Sequence, residues 1–435
     1  MREMKDSGNK WIGDIPADWS CGKTIYYLSM PMTDGPHTTP QLYDDGVPFL
    51  SAEAVSCGRG KIDFDHIRGY ISEEFYEECC KKYIPQMDDI YMIKSGATTG
   101  RVSIVDTDVK FTIWSPLAVY RVNKSLIMPR FMFYAIQSPS YMKQVEDGWN
   151  YGTQQNIGMR TLEKLKVAVP PYAEQKRIVE YLDTKWNEID ALTADIQSQI
   201  DTLEKYKRSV ITEAVTKGLD RNVEMKDSGI EYVGQIPTSW SMHPVYYYFG
   251  ERKHKNSLGQ EQNLLSLSYG NVIKKDINTR EGLLPESFNT YNIVEAGDII
   301  IRPTDLQNDK RSLRTGLVTE HGIITSAYID LMPIRNINTE YYHYLLHAFD
   351  VMKVFYNMGN GVRQGLNFSE FSRLMVFEPS LDEQNAIVDY LNDKFRQIDT
   401  VISEKQEQLS TLDTFKKSLI YEYVTGKKEV PANES

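Results

Sequence analysis

The densest polar chemistry in the chain lies in 13 residues, Arg302-Pro303-Thr304-Asp305-Leu306-Gln307-Asn308-Asp309-Lys310-Arg311-Ser312-Leu313-Arg314. Arginine and lysine suit the guanine edge, asparagine and glutamine the adenine edge, and a carboxylate can accept from a cytosine amine. Arg302, Gln307, Asn308, Lys310, Arg311 and Arg314 supply the first two kinds of group, and Asp305 supplies the third. The segment therefore has the make-up of a base-reading loop, with a plain solvated loop as the competing reading. Lys94, Thr98 and Arg101 hold the matching place in the first half of the chain. Gln154, Gln155 and Arg160 come later in that half, with Arg363 and Gln364 as their counterparts. Asn150-Tyr151-Gly152-Thr153 and Gly359-Asn360-Gly361-Val362 are turn-forming stretches suited to presenting them. Arg252-Lys253-His254-Lys255 is a basic run better matched to phosphates than to bases.

No pattern of comparable density points to catalysis or metal binding. Val169-Pro170-Pro171-Tyr172 imitates the Asp/Asn-Pro-Pro-Tyr motif of amino-methyltransferases. Val169 cannot accept the hydrogen bond from the target amine that this motif needs, and the second occurrence reads Glu378-Pro379-Ser380. Both are read as helix entries. Gly22-Lys23-Thr24 imitates the end of a P-loop, but Ala17 stands where that motif requires glycine. His343 and His347 are four apart, without a glutamate beside the first or a third ligand nearby, so packing or surface roles are expected. Cys21, Cys57, Cys79 and Cys80 lack zinc-site spacing and read as reduced thiols. The expectation is a chain with no catalytic residue, no metal ligand and no cofactor of its own.

The elements that must position the candidate residues come in duplicate. Met4 to Ser20 and Met225 to Ser241 share ten of 17 positions at an offset of 221. Glu174 to Thr216 and Glu383 to Thr425 share 19 of 43 at an offset of 209. A period of half the chain marks a duplicated module rather than a solenoid. The division it suggests is a mixed segment at 1–170, a helix at 171–218, a second mixed segment at 219–378, a second helix at 379–427 and a flexible tail at 428–435. Short β-like runs at Asp89–Ile93 and Asp298–Ile301, with helical stretches from Pro129 and Glu340, make each mixed segment an α+β domain.

Apolar residues three and four apart give each long helix one narrow face. In the first helix this stripe takes in Ile178, Leu182, Trp186, Ile189, Leu192, Ile196, Ile200, Leu203, Tyr206 and Val210. In the second it takes in Ile387, Leu391, Phe395, Ile398, Val401, Leu409, Leu412, Phe415 and Leu419, broken only at Lys405. Prolines before each helix and Gly218 and Gly426 after them supply start and stop signals. About 40 residues make a rod of roughly 60 Å. Tandem duplication predicts that the two rods pair antiparallel; the alternative is two helices that each dock on their own domain.

Length and charge set outer bounds. The 435 residues allow two or three domains. A net charge of −11 argues mildly against nucleic-acid contact, although acidic helices can carry the surplus while a groove stays basic. No apolar run approaches the ~20 residues of a membrane span, and no apolar segment follows the N-terminal charges. A cytoplasmic protein without a membrane role is expected.

Pro170-Pro171-Tyr172-Ala173-Glu174-Gln175 and its second occurrence, Pro379-Ser380-Leu381-Asp382-Glu383-Gln384, resemble the start of the conserved helical regions of type I restriction–modification specificity subunits. Gly152-Thr153-Gln154-Gln155 and Gly361-Val362-Arg363-Gln364, with Leu165 and Leu374 ahead of the prolines, resemble the ends of that family's target recognition domains. The resemblance runs in order over almost the whole chain. It implies a non-catalytic DNA-binding subunit with two α+β recognition domains separated by paired helices. Each domain would read one half of a bipartite double-stranded target, and the helices would set the unread gap. A ~60 Å rod covers about 18 base pairs. Partners would be two methyltransferase subunits and, where present, restriction subunits, with S-adenosylmethionine, ATP and Mg bound by those partners. A reading from another class is a duplicated coiled-coil adaptor that joins proteins and binds no DNA.

Overall fold

The structure, a computed structural model, describes residues 2–151, 155–231, 233–278, 287–304, 313–354 and 365–431. The chain gathers into two compact units, Met1–Ile196 with Glu407–Ser435, and Gln197–Gln406. This differs from the five consecutive segments read from the sequence, because each compact unit takes one mixed segment and half of each long helix.

Both units carry a four-stranded antiparallel sheet of the same topology. In the first unit β1 (Thr33–Asp34), β2 (Ile90–Ile93), β3 (Val102–Ile104) and β4 (Leu117–Tyr120) lie in the order β1-β4-β2-β3. In the second unit β5 (Phe249–Glu251), β6 (Ile299–Ile301), β7 (Thr315–Leu317) and β8 (Ile329–Pro333) lie in the order β5-β8-β6-β7. β2 is buried at every position, which explains its unbroken apolar run. Its side chains alternate between two cores, Ile90 and Met92 in one, Tyr91 and Ile93 in the other. β6 divides its side chains in the same way, with Ile299 and Ile301 in one core and Ile300 in another. Over each sheet lies one helix, α1 (Pro129–Gln137) in the first unit and α3 (Thr339–Val351) in the second.

The long helices are α2 (Tyr172–Lys217) and α4 (Leu381–Val424), close to the spans read from the prolines and glycines. Within the first unit the early part of α2 lies beside the late part of α4. Tyr181 meets Tyr423 with ring centroids 4.6 Å apart, and Lys416 lies over Trp186 while bonding Asp190 at 2.7 Å. The second unit repeats this with the helices exchanged: Lys207 lies over Phe395 and bonds Asp399 at 2.7 Å. Rising numbers on one helix meet falling numbers on the other, so the helices pair antiparallel. Both expectations hold together, because each pair also closes over the domain of its unit.

Ile178, Leu182 and Ile189 are buried in the first core, with Trp186 and Leu412 packed against it. Ile387 and Leu391 are buried in the second core, Phe395 packs against it, Ile398 is also buried and Leu203 is half-buried. Four members of the predicted stripe are exposed: Leu192, Tyr206, Val401 and Phe415. A helix of 3.6 residues per turn drifts against a strict heptad, so residues at the edge of a long stripe rotate out of the seam. Ile402 is buried where the stripe had named its neighbour Val401.

The duplicated Glu-Gln pair locks each helix entry. Trp19 Nε1 donates to Glu174 at 3.0 Å, and Trp240 Nε1 donates to Glu383 at 3.0 Å. Gln175 and Gln384 are buried, and each donates to a proline carbonyl, Pro170 or Pro379, at 3.0 Å. Their side-chain oxygens accept from the backbone at the foot of the sheet-covering helices, Met128 at 2.7 Å and Asn338 at 3.0 Å. The Pro-Pro-Tyr imitation is thus part of a helix entry, as read. Beyond the helix ends Gly218 (φ +75°) and Gly426 (φ +70°) take the left-handed conformation that favours glycine. The start of the expected flexible tail is anchored instead: Lys428 pairs with Glu422 at 2.8 Å and Val430 packs on the first core.

Candidate nucleic-acid interface

In each unit the connection from a central sheet strand to its edge neighbour, β2 to β3 or β6 to β7, meets a second segment at one corner. In the first unit the connection runs from Lys94 to Arg101. Gly96 N–H donates to the Gln155 carbonyl at 3.0 Å, and Ile157 N–H to the Lys94 carbonyl at 2.9 Å. Gly96 and Gly100 both have φ near +100° or +90° (100° and 92°), and a Cβ on Gly100 would strike Met142 at 2.2 Å. The second unit has the equivalent bond, Leu366 N–H to the Pro303 carbonyl at 2.9 Å, 209 positions later on both sides. Flanks of the two candidate segments therefore meet there. Gln154, Asp305, Gln307, Asn308, Lys310, Arg311, Arg363 and Gln364 themselves lie outside the described residues.

The remaining candidates separate by their surroundings. Arg101, Gln155 and Arg160 are exposed and Thr98 is half-buried. Arg101 Nη1 donates to the Ser56 carbonyl at 3.1 Å, which steadies its guanidinium, and Arg160 sits on the short helix Met159–Leu162. Lys94 is largely shielded, with its ammonium 3.4 Å from buried Asp34. Burial alone would raise the Asp34 carboxyl; the hydrogen bond and charge of Lys82, with the charges of Lys94 and His37, outweigh it and hold the group below its usual range. Lys94 is thus placed to hold the corner together rather than to reach a ligand.

Arg302 is half-buried, and its backbone bonds the Arg314 carbonyl at 2.8 Å. Arg314 departs from its expected role. It is fully buried, its guanidinium donates to the Thr304 carbonyl, and its backbone N–H donates to buried Asp350 at 2.5 Å. An interior guanidinium that clamps the loop base cannot present itself to a base edge. The basic run is also engaged within the fold. Arg252 bonds Asp298 at 2.7 Å, Lys253 pairs with Glu251 at 2.8 Å and Lys255 donates to the Thr290 carbonyl at 2.9 Å.

One residue at this corner was not singled out from the sequence. Tyr269 is 84 % exposed at the tip of the hairpin Leu265–Ser268/Asn271–Lys274, with φ +46°, and a Cβ added to Gly270 beside it would come within 3.1 Å of Leu313 at the loop flank. The signal available was a Tyr-Gly pair between two short alternating runs. The imitation motif Gly22-Lys23-Thr24 is spent on structure, since buried Thr24 donates to the Leu165 carbonyl at 2.9 Å. His343 Nε2 is shut off from solvent on α3. Among the described residues no group of three His, Cys, Asp or Glu side chains could hold a metal, and no helix is long and apolar enough to cross a membrane. All four cysteines are free thiols.

The duplicated α+β scaffold keeps its long helices and varies the connections that they support. Known proteins resemble this chain over part or most of its length. Residues 38–202 match the family model described as the type I restriction modification DNA specificity domain. The chain is 25 % identical over 433 residues to a putative type I restriction enzyme MjaX specificity subunit of Methanocaldococcus jannaschii, covering 96 % of each chain. It is 24 % identical to the MjaVIII specificity subunit of the same organism, covering 96 % of this chain and 94 % of that one. To the EcoBI specificity subunit of Escherichia coli it is 22 % identical over 74 % of its own length and 72 % of the relative's. The fold matches a chain from a solved type I R-M system assembly with a TM-score of 0.66 at 12 % identity, over 95 % of this chain and 99 % of that chain. Over residues 38–202, and in its curated relatives over most of its length, the chain is similar to specificity subunits of type I restriction–modification systems.

Proposed function

We propose that this chain reads a bipartite double-stranded DNA sequence, one half with each unit, at the corner where the inter-strand connection meets its second segment. The observation that carries this reading is the repeated backbone bond, Lys94 with Ile157 and Pro303 with Leu366, beneath connections of different length and composition. One scaffold holding two dissimilar loops at equivalent places suits the reading of two dissimilar half-sites. Arg101, Gln155 and Arg160 serve the first half-site, and the Arg302–Arg314 connection with Arg363 and Gln364 serves the second. The paired helices set the unread gap. Two methyltransferase subunits, and restriction subunits where the system cuts, assemble on the chain in the cytoplasm. The chain itself supplies recognition and no catalytic group, while S-adenosylmethionine, ATP and Mg belong to its partners.

Co-expression with the methyltransferase subunit, followed by single-molecule sequencing of host DNA, tests this directly. The expected result is adenine methylation in a two-part sequence with a fixed gap. Replacing Gln307, Asn308 and Arg311 by alanine changes or abolishes one half only, while Arg101→Ala with Gln155→Ala affects the other. Each lost base contact weakens recognition by about 1–3 kcal/mol. Equal loss of both halves contradicts the two-reader arrangement. DNA binding by the assembled complex must also weaken steeply with salt; a salt-independent complex points to the adaptor reading.

A further inference from the structure

Among the described residues, the duplication leaves one place filled in the first unit and open in the second. In the first unit the ring of Tyr423 on α4 packs on Tyr181 of α2, 4.6 Å between centroids, within a core that also holds Leu419 and Ile12. The register of the two echoes gives the counterparts in the second unit: Ala214 for Tyr423, Tyr390 for Tyr181, Val210 for Leu419 and Val233 for Ile12. Three of these four exchanges are from larger to smaller side chains, and the fourth keeps the tyrosine. A groove of about 700 Å³ opens at that place, lined by Val210, Ala214, Met225, Val233, Tyr390 and Leu219 among others. Ala214 and Val210 form its buried floor, whereas Tyr390 and Leu219 stand exposed at its mouth, at 36 % and 42 %.

We infer that this groove takes an aromatic side chain presented by a protein partner, which packs on Tyr390 as the tilted ring of Tyr423 packs on Tyr181. The partner, resting on the function proposed above, is the methyltransferase subunit. The occupant's chemistry follows from the first unit, where the same scaffold closes over a phenol ring. The volume is that of a ligand site and leaves room for the ring and the backbone that carries it. The rim argues against nucleic acid. It carries two cations, Lys217 and Arg221, and two acids, Glu213 and Asp220, with Arg221 bonded to Glu213 at 3.4 Å. Such a rim has no surplus positive charge for a phosphate backbone. An exposed aromatic side chain at the mouth of an aliphatic groove is the kind of place where an interface concentrates its affinity.

The test uses the full chain and p-cresol, the side chain of tyrosine, titrated while ligand-observed NMR and the unfolding temperature are followed. Wild-type protein is expected to bind p-cresol at one millimolar-range site. Ala214→Tyr, which copies the first unit, should fill that site and remove the binding; Ala214→Leu should weaken it, which covers a failure of the tyrosine variant to fold. Tyr423→Ala should open a second equivalent site. In the co-expressed complex, Ala214→Tyr should lower affinity for the methyltransferase subunit about tenfold or more, while any DNA still modified keeps the wild-type sequence. No p-cresol binding, or binding indifferent to Ala214→Tyr, overturns the aromatic site. Binding of p-cresol with unchanged methyltransferase affinity overturns the partner. Neither result depends on whether a bipartite sequence is found, so failure here is separable from failure of the recognition reading.

Discussion

At the head of the central strand each unit buries an aspartate, but the two are neutralised in different ways. Asp89 of the first unit receives Arg121 through both oxygens at 2.7 Å and lies beside the Tyr83 hydroxyl. Asp298 of the second receives Arg252 at 2.7 and 3.1 Å, from a strand that is not the counterpart of the one leading to Arg121. The second unit also buries Asp330 at the position where the pairing register of the first has Val119. Both Asp330 oxygens lack a hydrogen-bond partner, and Arg252 stands 3.9 Å away. Burial, and then the neighbouring Asp298 charge, push the Asp330 carboxyl up to about 8. A common backbone thus tolerates a fully matched acid in one copy and a mismatched pair in the other. The duplicated fold is fixed by apolar packing and the helix entries, and its buried charges have been free to diverge.

The sharpest way to break this comparison is to open one core at a time. Leu182 and Leu391 are duplicated positions, each buried in the core of its own unit. Leu391→Ala should cost about 2–5 kcal/mol and Leu182→Ala a similar amount. Hydrogen exchange should show each loss mainly in its own unit; a loss that spreads evenly over both would mean the units are not separate cooperative bodies.

Asp330 gives the next largest expected effect, and the sign follows from linkage. The folded state keeps a proton on this acid up to about pH 8, whereas the unfolded chain releases it near pH 4. Between those values the folded state binds more protons, so stability falls as pH rises. Asp330→Asn keeps the shape and removes the charge. It should raise stability near pH 8 by an amount on the order of a few kcal/mol and flatten the slope between pH 4 and 8. An unchanged slope in thermal unfolding from pH 5 to pH 8 would mean that Arg252 already satisfies both acids. Asp89→Asn in the first unit should lower stability instead, because it strips a charged partner from Arg121.

Much of this scaffold was legible in the residues, for physical reasons that differ by element. The long helices declared themselves by spacing, with prolines before and glycines after, because helix periodicity and capping are local. Pairing followed from the need to cover both stripes, and its antiparallel sense from the tandem duplication. The distribution of each helix over two compact units was not legible, since it depends on which halves meet at long sequence separation. Arg314 misled because an arginine in a polar run reads as solvated, whereas buried Asp350 and the Thr304 carbonyl hold it in the interior. Lys94 misled likewise, through Asp34, 60 positions earlier. The open groove was recoverable from the echo itself: Ala214 against Tyr423 is one of its largest losses of side-chain volume.

The helix locks give a smaller and more discriminating test. Glu174 holds Trp19 and also Arg2, at 2.5 and 2.8 Å, whereas Glu383 holds Trp240. Glutamine in place of either glutamate keeps an oxygen for the indole but removes the charge. Glu174→Gln should therefore cost about 1–2 kcal/mol, and Glu383→Gln less than about 1 kcal/mol. The reverse order, read from unfolding of the two variants side by side, would show that the Arg2 pair contributes nothing.

A comparably small effect concerns residues 427–430. In the second unit the chain continues covalently from Gly218 into the hairpin that begins at Met225, so the helix end and the Trp240 segment are tethered by peptide bonds. In the first unit the equivalent helix end, Gly426, lies against Pro16 and Trp19, and only non-covalent contacts join them. Lys427 donates to the Asp14 carbonyl, Lys428 pairs with Glu422 and Val430 covers part of the core. A chain ending at Gly426 loses these three contacts and should be less stable by about 1 kcal/mol, since two of them are exposed polar pairs and the third is one aliphatic side chain. Hydrogen exchange should quicken at Ile12 to Trp19 and stay unchanged at Val233 to Trp240. Equal quickening at both places would mean that residues 427–430 support the whole molecule, and that the two units differ less in how they are closed than their contacts imply.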